Sequence, residues 1–139
     1  MQNYDIQESL IIDVNQELIL KDEALQDQIE FFDDGDEPIP GISALLTPGH
    51  TPGHMSFEIA DGSKSALIIG DALNNHHVAF KRPHWLSGLD QHPEEAALTR
   101  KKLLNRMSNE DIFVVGFHLP NGGIGRVVQT DDHYSFVNI

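Results

Sequence analysis

The sequence predicts an α/β domain, and two observations support this. Residues 65–73, "SALIIGDAL", and residues 111–118, "DIFVVGFH", are nearly continuous apolar runs, typical of strands that are buried on both faces. Between them lies the clearest helix, "HPEEAALTRKKLL" at residues 92–104, with proline and glutamates at its start and basic residues in its later turns. Strands on either side of a helix, with polar residues where the apolar runs end, indicate an α/β arrangement whose site lies at the strand ends.

The first 64 residues begin with "ESLIIDVNQELIL" at residues 8–20, which is either a strand pair or a helix, and continue with one possible helix, two strands and two turns. Residues 21–32 carry Leu25, Ile29 and Phe32 at helical spacing. The elements that follow are a turn cluster at 33–41, a strand at 42–47, an alternating strand at 54–60 and the hairpin turn "DGSK" at 61–64.

The second half is predicted to have a long irregular stretch, the helix, a strand and a final hairpin. The irregular stretch covers residues 74–91. The helix is expected to bury Ala97, Leu98, Leu103 and Leu104 and to expose a solvated face with Arg100, Lys101 and Lys102. The last strands form a hairpin around residues 131–132.

Composition limits the classes of partner. A chain of 139 residues, 40% hydrophobic, predicts one domain with a real core. A net charge of −13 argues against nucleic acid and against anionic membrane surfaces. The absence of cysteine excludes disulfides, thiolate zinc sites and cysteine nucleophiles. The sequence shows neither a signal peptide at its start nor an apolar run of about 18 residues, so we expect no membrane span and, by default, a cytoplasmic location.

Three metal-competent side chains follow three predicted strands. His50 comes after "ISALLT", Asp71 after "SALIIG" and His118 after "DIFVVGF". Neutral imidazole and carboxylate are suitable ligands for zinc and other divalent ions. Each residue alone has an ordinary alternative, a turn for the aspartate and a surface position for each histidine. Their occurrence in order at three strand ends favours a shared metal site.

Other polar and aromatic residues remain open to two interpretations. His54, four residues after His50 in the "HTPGH" loop, is either a ligand or a supporting residue. Phe80 and Trp85 either form the wall of a pocket for an apolar acyl or aryl group or pack within their loop. His76 and His77 either face a substrate or lie in a solvated loop.

The motifs "TPGHTPGHMSF", "LIIGDAL" and "VVGFHLPNGGIGRV" together resemble the second half of a metallo-β-lactamase-fold hydrolase, over roughly Phe31 to Val137. The nearest branch is that of the methyl parathion hydrolases and quorum-quenching lactonases. In that branch the loop before the helix has a similar "F…P…D" pattern, matched here by Phe80, Pro83 and Asp90.

The resemblance implies half of an αββα sandwich, a mixed sheet with flanking helices. It implies a single domain over residues 1–139, in which 1–30 are the remnant of a preceding segment. It also implies that His50 binds the first of two zinc ions, that the catalytic Asp71 bridges them and that His118 binds the second. His54 corresponds to a residue that supports the loop.

The chain departs from the family at one important motif. The HxHxDH motif, which supplies further zinc ligands in the family, does not occur in these 139 residues. We therefore expect one zinc ion or none. The favoured interpretation is the C-terminal portion of a zinc-dependent hydrolase that acts on a small ester, lactone or phosphotriester. The alternative is a truncated, non-catalytic domain that oligomerises, because half of a sandwich exposes an apolar sheet face.

Overall fold

Within residues 30–139, six strands form one mixed sheet, in the order β1-β2-β3-β4-β5-β6. A computed structural model describes residues 30–139. Within them, residues 32–139 form one compact unit. The helix predicted at residues 21–32 lies mainly outside the described residues. The strands are β1 Ile42–Leu46, β2 Met55–Asp61, β3 Lys64–Ile68, β4 Ile112–Val115, β5 Ile124–Gln129 and β6 Tyr134–Asn138.

Strand pairing follows from the connections between strands. β1–β2, β2–β3, β4–β5 and β5–β6 are antiparallel, and β3–β4 is parallel. The hairpin predicted at "DGSK" is confirmed, since Asp61 pairs with Lys64 across a two-residue turn. The parallel pair requires a long crossover, which the predicted helix supplies. The predicted α/β class and mixed sheet are confirmed.

Three helical segments occupy the crossover between β3 and β4. They are a 3₁₀ turn at Gly70–Leu73, helix α1 at His76–Lys81 and helix α2 at Pro93–Asn109. Helix α2 confirms the clearest sequence prediction, with Pro93 in its first turn beside Glu94 and Glu95. The prediction of an irregular stretch at residues 74–91 is wrong for α1. The Asn75 side chain accepts a hydrogen bond from the Val78 backbone N–H and so caps a helix too short to show periodicity.

The hydrophobic core lies between α2 and one face of the sheet. Leu104 and Met107 of α2 are buried in one cluster with Leu67 of β3 and Val114 of β4. Leu98 was predicted to join this face, but its side chain is 59% exposed, so that prediction is wrong.

The opposite face of the sheet is apolar and partly exposed. Leu67 is fully buried while its neighbour Ile68 is 37% exposed, so the prediction that β3 is buried on both faces is wrong. Cross-strand pairing places Ile68 in one row with Phe57, Val115 and Ile124. We call this surface the outer sheet face; its exposed aliphatic residues are Leu46, Ile59, Ile68, Ile124, Val128 and Val137.

Neither α1 nor α2, nor any other helix within residues 30–139, combines the length and the hydropathy that crossing a membrane requires.

Candidate active site

The Asp71 carboxylate lies between two histidines. Its Oδ1 is 2.9 Å from His118 Nε2 and its Oδ2 is 3.7 Å from His50 Nε2. The structure therefore brings together the three side chains that the sequence singled out. The strands before Asp71 and His118 were predicted to end at Gly70 and Phe117, but β3 and β4 each end two residues earlier, at Ile68 and Val115. The intervening residues form turns that carry the side chains over the end of the sheet.

The loop that carries His50 is docked against the start of α2. Backbone N–H groups of Gln91 and His92 donate to the carbonyls of His50 and Gly49, at 3.1 and 2.9 Å. Gly49 has a φ of +125°, and a Cβ at this position would lie 2.2 Å from the backbone nitrogen of Ala96. Only glycine fits so close an approach, so backbone contacts determine where the His50 loop lies.

His54 holds the backbone of Asp71. The Asp71 N–H donates to His54 Nε2 at 3.0 Å, and His54 Nδ1 lies 2.8 Å from Thr47 Oγ1. Because a backbone N–H can only donate, Nε2 accepts and Nδ1 carries the proton. Burial, followed by the nearby His50, lowers the pKa of His54 and favours this neutral form. Both ring nitrogens of His54 are therefore engaged in hydrogen bonds within the protein.

A buried ion pair that sequence reasoning missed lies behind His50. Asp90 Oδ1 is 3.2 Å from His50 Nδ1, and Asp90 Oδ2 accepts a hydrogen bond from Arg100 Nη1 at 2.8 Å. Arg100 also donates to the carbonyls of Trp85, at 2.7 Å, and Pro83, at 3.3 Å. The prediction of a solvated Arg100 is wrong, since only 4% of its side chain is exposed. The sequence feature that could have indicated this ion pair is the pattern of Pro83 and Asp90, because Arg100 binds the carbonyl of Pro83 and the carboxylate of Asp90.

Phe80 and Trp85 line two different cavities within residues 30–139. Phe80 is buried in the core, with its ring edge-on to Phe136 at a centroid distance of 6.2 Å. It lines a cavity of about 190 Å³ beside His76 and His77. Trp85 is half exposed and lines a different cavity of about 240 Å³, with residues that include Asn74, Val78 and Leu86. Neither of these two cavities is lined by both residues, and a pocket for an apolar acyl or aryl group walled by both rings stays a prediction.

The donor set suits zinc in chemistry but is too small for a complete site. Two imidazoles and a carboxylate are typical zinc ligands. Within residues 30–139, however, no three histidine, aspartate or glutamate side chains are arranged to hold one metal ion. His50 and His118 approach opposite oxygens of Asp71, so the three groups form a chain rather than a cage.

Comparison with known proteins identifies the family. The metallo-beta-lactamase superfamily model matches residues 7–118, most of the chain. The chain belongs to this superfamily, and its sheet and helices are those of the metallo-β-lactamase hydrolase fold.

Several solved structures share this fold. One is AbOPH, a hydrolase of the beta lactamase superfamily, with 33% identity and a TM-score of 0.75 over 84% of this chain and 40% of that one. AidC, a dizinc quorum-quenching lactonase, has the same TM-score and coverages at 24% identity, which shows the fold alone. An N-acyl homoserine lactone hydrolase has 27% identity and a TM-score of 0.50 over 63% of this chain and 34% of that one.

The chain spans about 40% of the length of the first two of these proteins. Comparison with curated proteins gives no significant match. The sequence predicted the lactonase branch of the superfamily. The shared fold and the presence of lactonases among the similar structures agree with that prediction.

Proposed function

We propose that this chain supplies His50, Asp71 and His118 to the zinc centre of a hydrolase that cleaves a small ester, lactone or phosphotriester. The observation that carries the proposal is the position of the Asp71 carboxylate between His50 Nε2 and His118 Nε2, at 3.7 and 2.9 Å. A carboxylate with a histidine on each oxygen is suited to linking two metal ions, as the family resemblance implies for Asp71.

The residues around the centre have distinct tasks. Zinc, when bound, supplies Lewis-acid activation of water and of the scissile carbonyl or phosphoryl group. His54 holds the Asp71 backbone through its 3.0 Å hydrogen bond and so fixes the origin of that carboxylate. His118 is partly exposed and keeps an open side toward solvent. No serine nucleophile is required, and the sequence contains no G-x-S-x-G motif.

Three ligands are too few for the two-metal chemistry of the family. Zinc sites use about four ligands per ion, one of which can be water. The sequence has no HxHxDH motif, so we propose that the remaining ligands come from a further polypeptide segment or from a second copy of the chain. The 139 residues alone would hold one ion weakly.

Zinc binding tests the proposed ligands. Replacing His118→Ala removes a direct donor, so the affinity for zinc should fall by more than the roughly 10–100-fold that loss of a supporting residue costs. The measurement is competition with a chromophoric chelator. His133→Ala is the matched control, since His133 lies in the β5–β6 turn with Thr130 and Asp132. Equal affinity in the two variants would rule out His118 as a ligand.

A non-catalytic, oligomerising domain is the second candidate. The outer sheet face favours it, because five of the six strands place exposed aliphatic side chains on this face, among them Ile68 at 37% and Val137 at 50%. Large exposed apolar patches are typical of interaction surfaces. The incomplete donor set within the described residues agrees with this candidate too.

Sedimentation velocity tests this candidate. The purified chain should sediment as a dimer or larger species, and Val128→Lys on the outer sheet face should weaken association at least tenfold, because a charge would be buried in the interface. Leu98→Lys is the control, since Leu98 is 59% exposed on α2, beyond the other face of the sheet. A stable wild-type monomer, or equal loss with both lysines, would exclude association through this face.

A further inference from the structure

We propose that Asp90 is a positioning residue that fixes the tautomer of His50, with the proton on Nδ1 and the lone pair of Nε2 directed toward Asp71. The inference deepens the proposed function, since it explains how His50 is prepared as a donor. It concerns this chain's own hydrogen bonds and can be tested without a metal.

Only one carboxylate oxygen of Asp90 contacts His50, because the other is bound to Arg100. Its side chain is 1% exposed, and its Oδ2 accepts from Arg100 Nη1 at 2.8 Å. Such a charge-assisted bond in a buried position prevents the carboxylate from turning. Oδ1 then faces His50 Nδ1 at 3.2 Å and the Asn74 amide at 3.4 Å.

The chemistry of the carboxylate determines the direction of the bond to His50. An ionised carboxylate has no proton to donate, so a hydrogen bond between Asp90 Oδ1 and His50 Nδ1 requires the proton on Nδ1. In a neutral imidazole the other nitrogen, Nε2, then carries a lone pair. Histidine donors to metals are commonly prepared in this way by a carboxylate on the far nitrogen.

The other side of the His50 ring offers a weaker partner. Asp71 Oδ2 lies 3.7 Å from Nε2, beyond hydrogen-bond distance. The Asp71 carboxylate instead makes its close contact with His118, at 2.9 Å through Oδ1. The two carboxylates near His50 are therefore unequal, and the closer, buried one selects the tautomer.

The surrounding backbone keeps Asp90 and His50 together. The N–H of Gln91, the residue after Asp90, donates to the His50 carbonyl at 3.1 Å. Asn74, which follows the 3₁₀ turn carrying Asp71, reaches the same Asp90 oxygen. Asp90 thus joins the His50 loop, the Asp71 turn and, through Arg100, helix α2.

The test is nitrogen NMR of the full chain labelled with ¹⁵N-histidine, freed of metal with a chelator. Spectra are recorded at about pH 9, well above the ordinary histidine pKa of about 6.5. Long-range ¹H–¹⁵N correlations distinguish a protonated ring nitrogen from one with a lone pair, and a His50→Gln spectrum assigns the signals. We expect His50 to be protonated at Nδ1 only.

Asp90→Asn tests the cause. The amide cannot present an acceptor to both Arg100 and His50, so we expect the His50 signals to move toward the Nε2-protonated form that free histidine prefers. His54 is an internal control, because Thr47 and the Asp71 N–H set its tautomer. Asp61→Asn is the matched control for Asp90→Asn, because it makes the same change at an exposed carboxylate.

Two results would overturn the inference. One is a wild-type His50 ring protonated at Nε2, alone or together with Nδ1. The other is an unchanged His50 tautomer in a folded Asp90→Asn variant. The wild-type spectrum decides by itself if that variant does not fold. Neither result depends on zinc binding, so failure of this inference can be told apart from failure of the proposed function.

Discussion

The 139-residue chain by itself is expected to hydrolyse aryl esters, lactones and phosphotriesters on the order of a thousandfold more slowly than a complete hydrolase of its family. The reason is the number of metal ligands. His50, Asp71 and His118 are the candidate donors, and no HxHxDH motif occurs in the sequence to add others. Two ions cannot both be held by three side chains, so the chain would lose one Lewis acid and the activated water between the ions.

Zinc-titrated assays on an aryl ester, a lactone and a paraoxon-type substrate measure this effect, with His118→Ala as the comparison variant. Fast, zinc-dependent turnover that His118→Ala abolishes would contradict the prediction. Such a result would mean that the chain assembles a working centre alone, for example from two copies.

Arg100→Met should destabilise the fold by about 3–5 kcal/mol, because it leaves the buried Asp90 carboxylate without its charged partner. The same change removes hydrogen bonds to the carbonyls of Pro83 and Trp85. Since domains of this size are stable by only about 5–15 kcal/mol, the loss is a large fraction of the total. Equilibrium unfolding in urea gives the difference in free energy of unfolding.

Lys101→Met is the matched control, one residue along the same helix at an exposed position. It should change the free energy of unfolding by no more than about 0.5 kcal/mol. If Arg100→Met behaved like this control, the ion pair with Asp90 would not be a buried structural contact.

Much of the fold was predictable because its signals are local. The two-residue hairpin at Gly62–Ser63 and the start of α2 at Pro93 follow from turn and capping preferences of neighbouring residues. Helix α1 was missed because six residues give less than two turns of periodicity. Ile68 was misjudged because a continuous apolar run does not reveal whether a second layer covers the strand.

The site was predictable in its residues but not in its supports. His50, Asp71 and His118 stand out because each follows an apolar run. Arg100 does not stand out, because its neighbours Lys101 and Lys102 make it look like part of a charged helix face. Its partner Asp90 is ten residues away, and the carbonyls it binds lie in a loop without periodicity. Only the three-dimensional structure shows that Arg100, the first of the three consecutive basic residues, is buried.

The contacts that assemble the site join residues far apart in the chain. His50 and Asp90 are separated by 40 positions, and Asp71 and His118 by 47. The hairpins β1–β2, β2–β3 and β5–β6, by contrast, need only short loops to close. Loop-closure entropy makes distant pairings slow to form. We therefore expect the hairpins to form before the site during folding. We also expect partial opening of the crossover to separate Asp90 from His50 while hairpin β5–β6 stays paired.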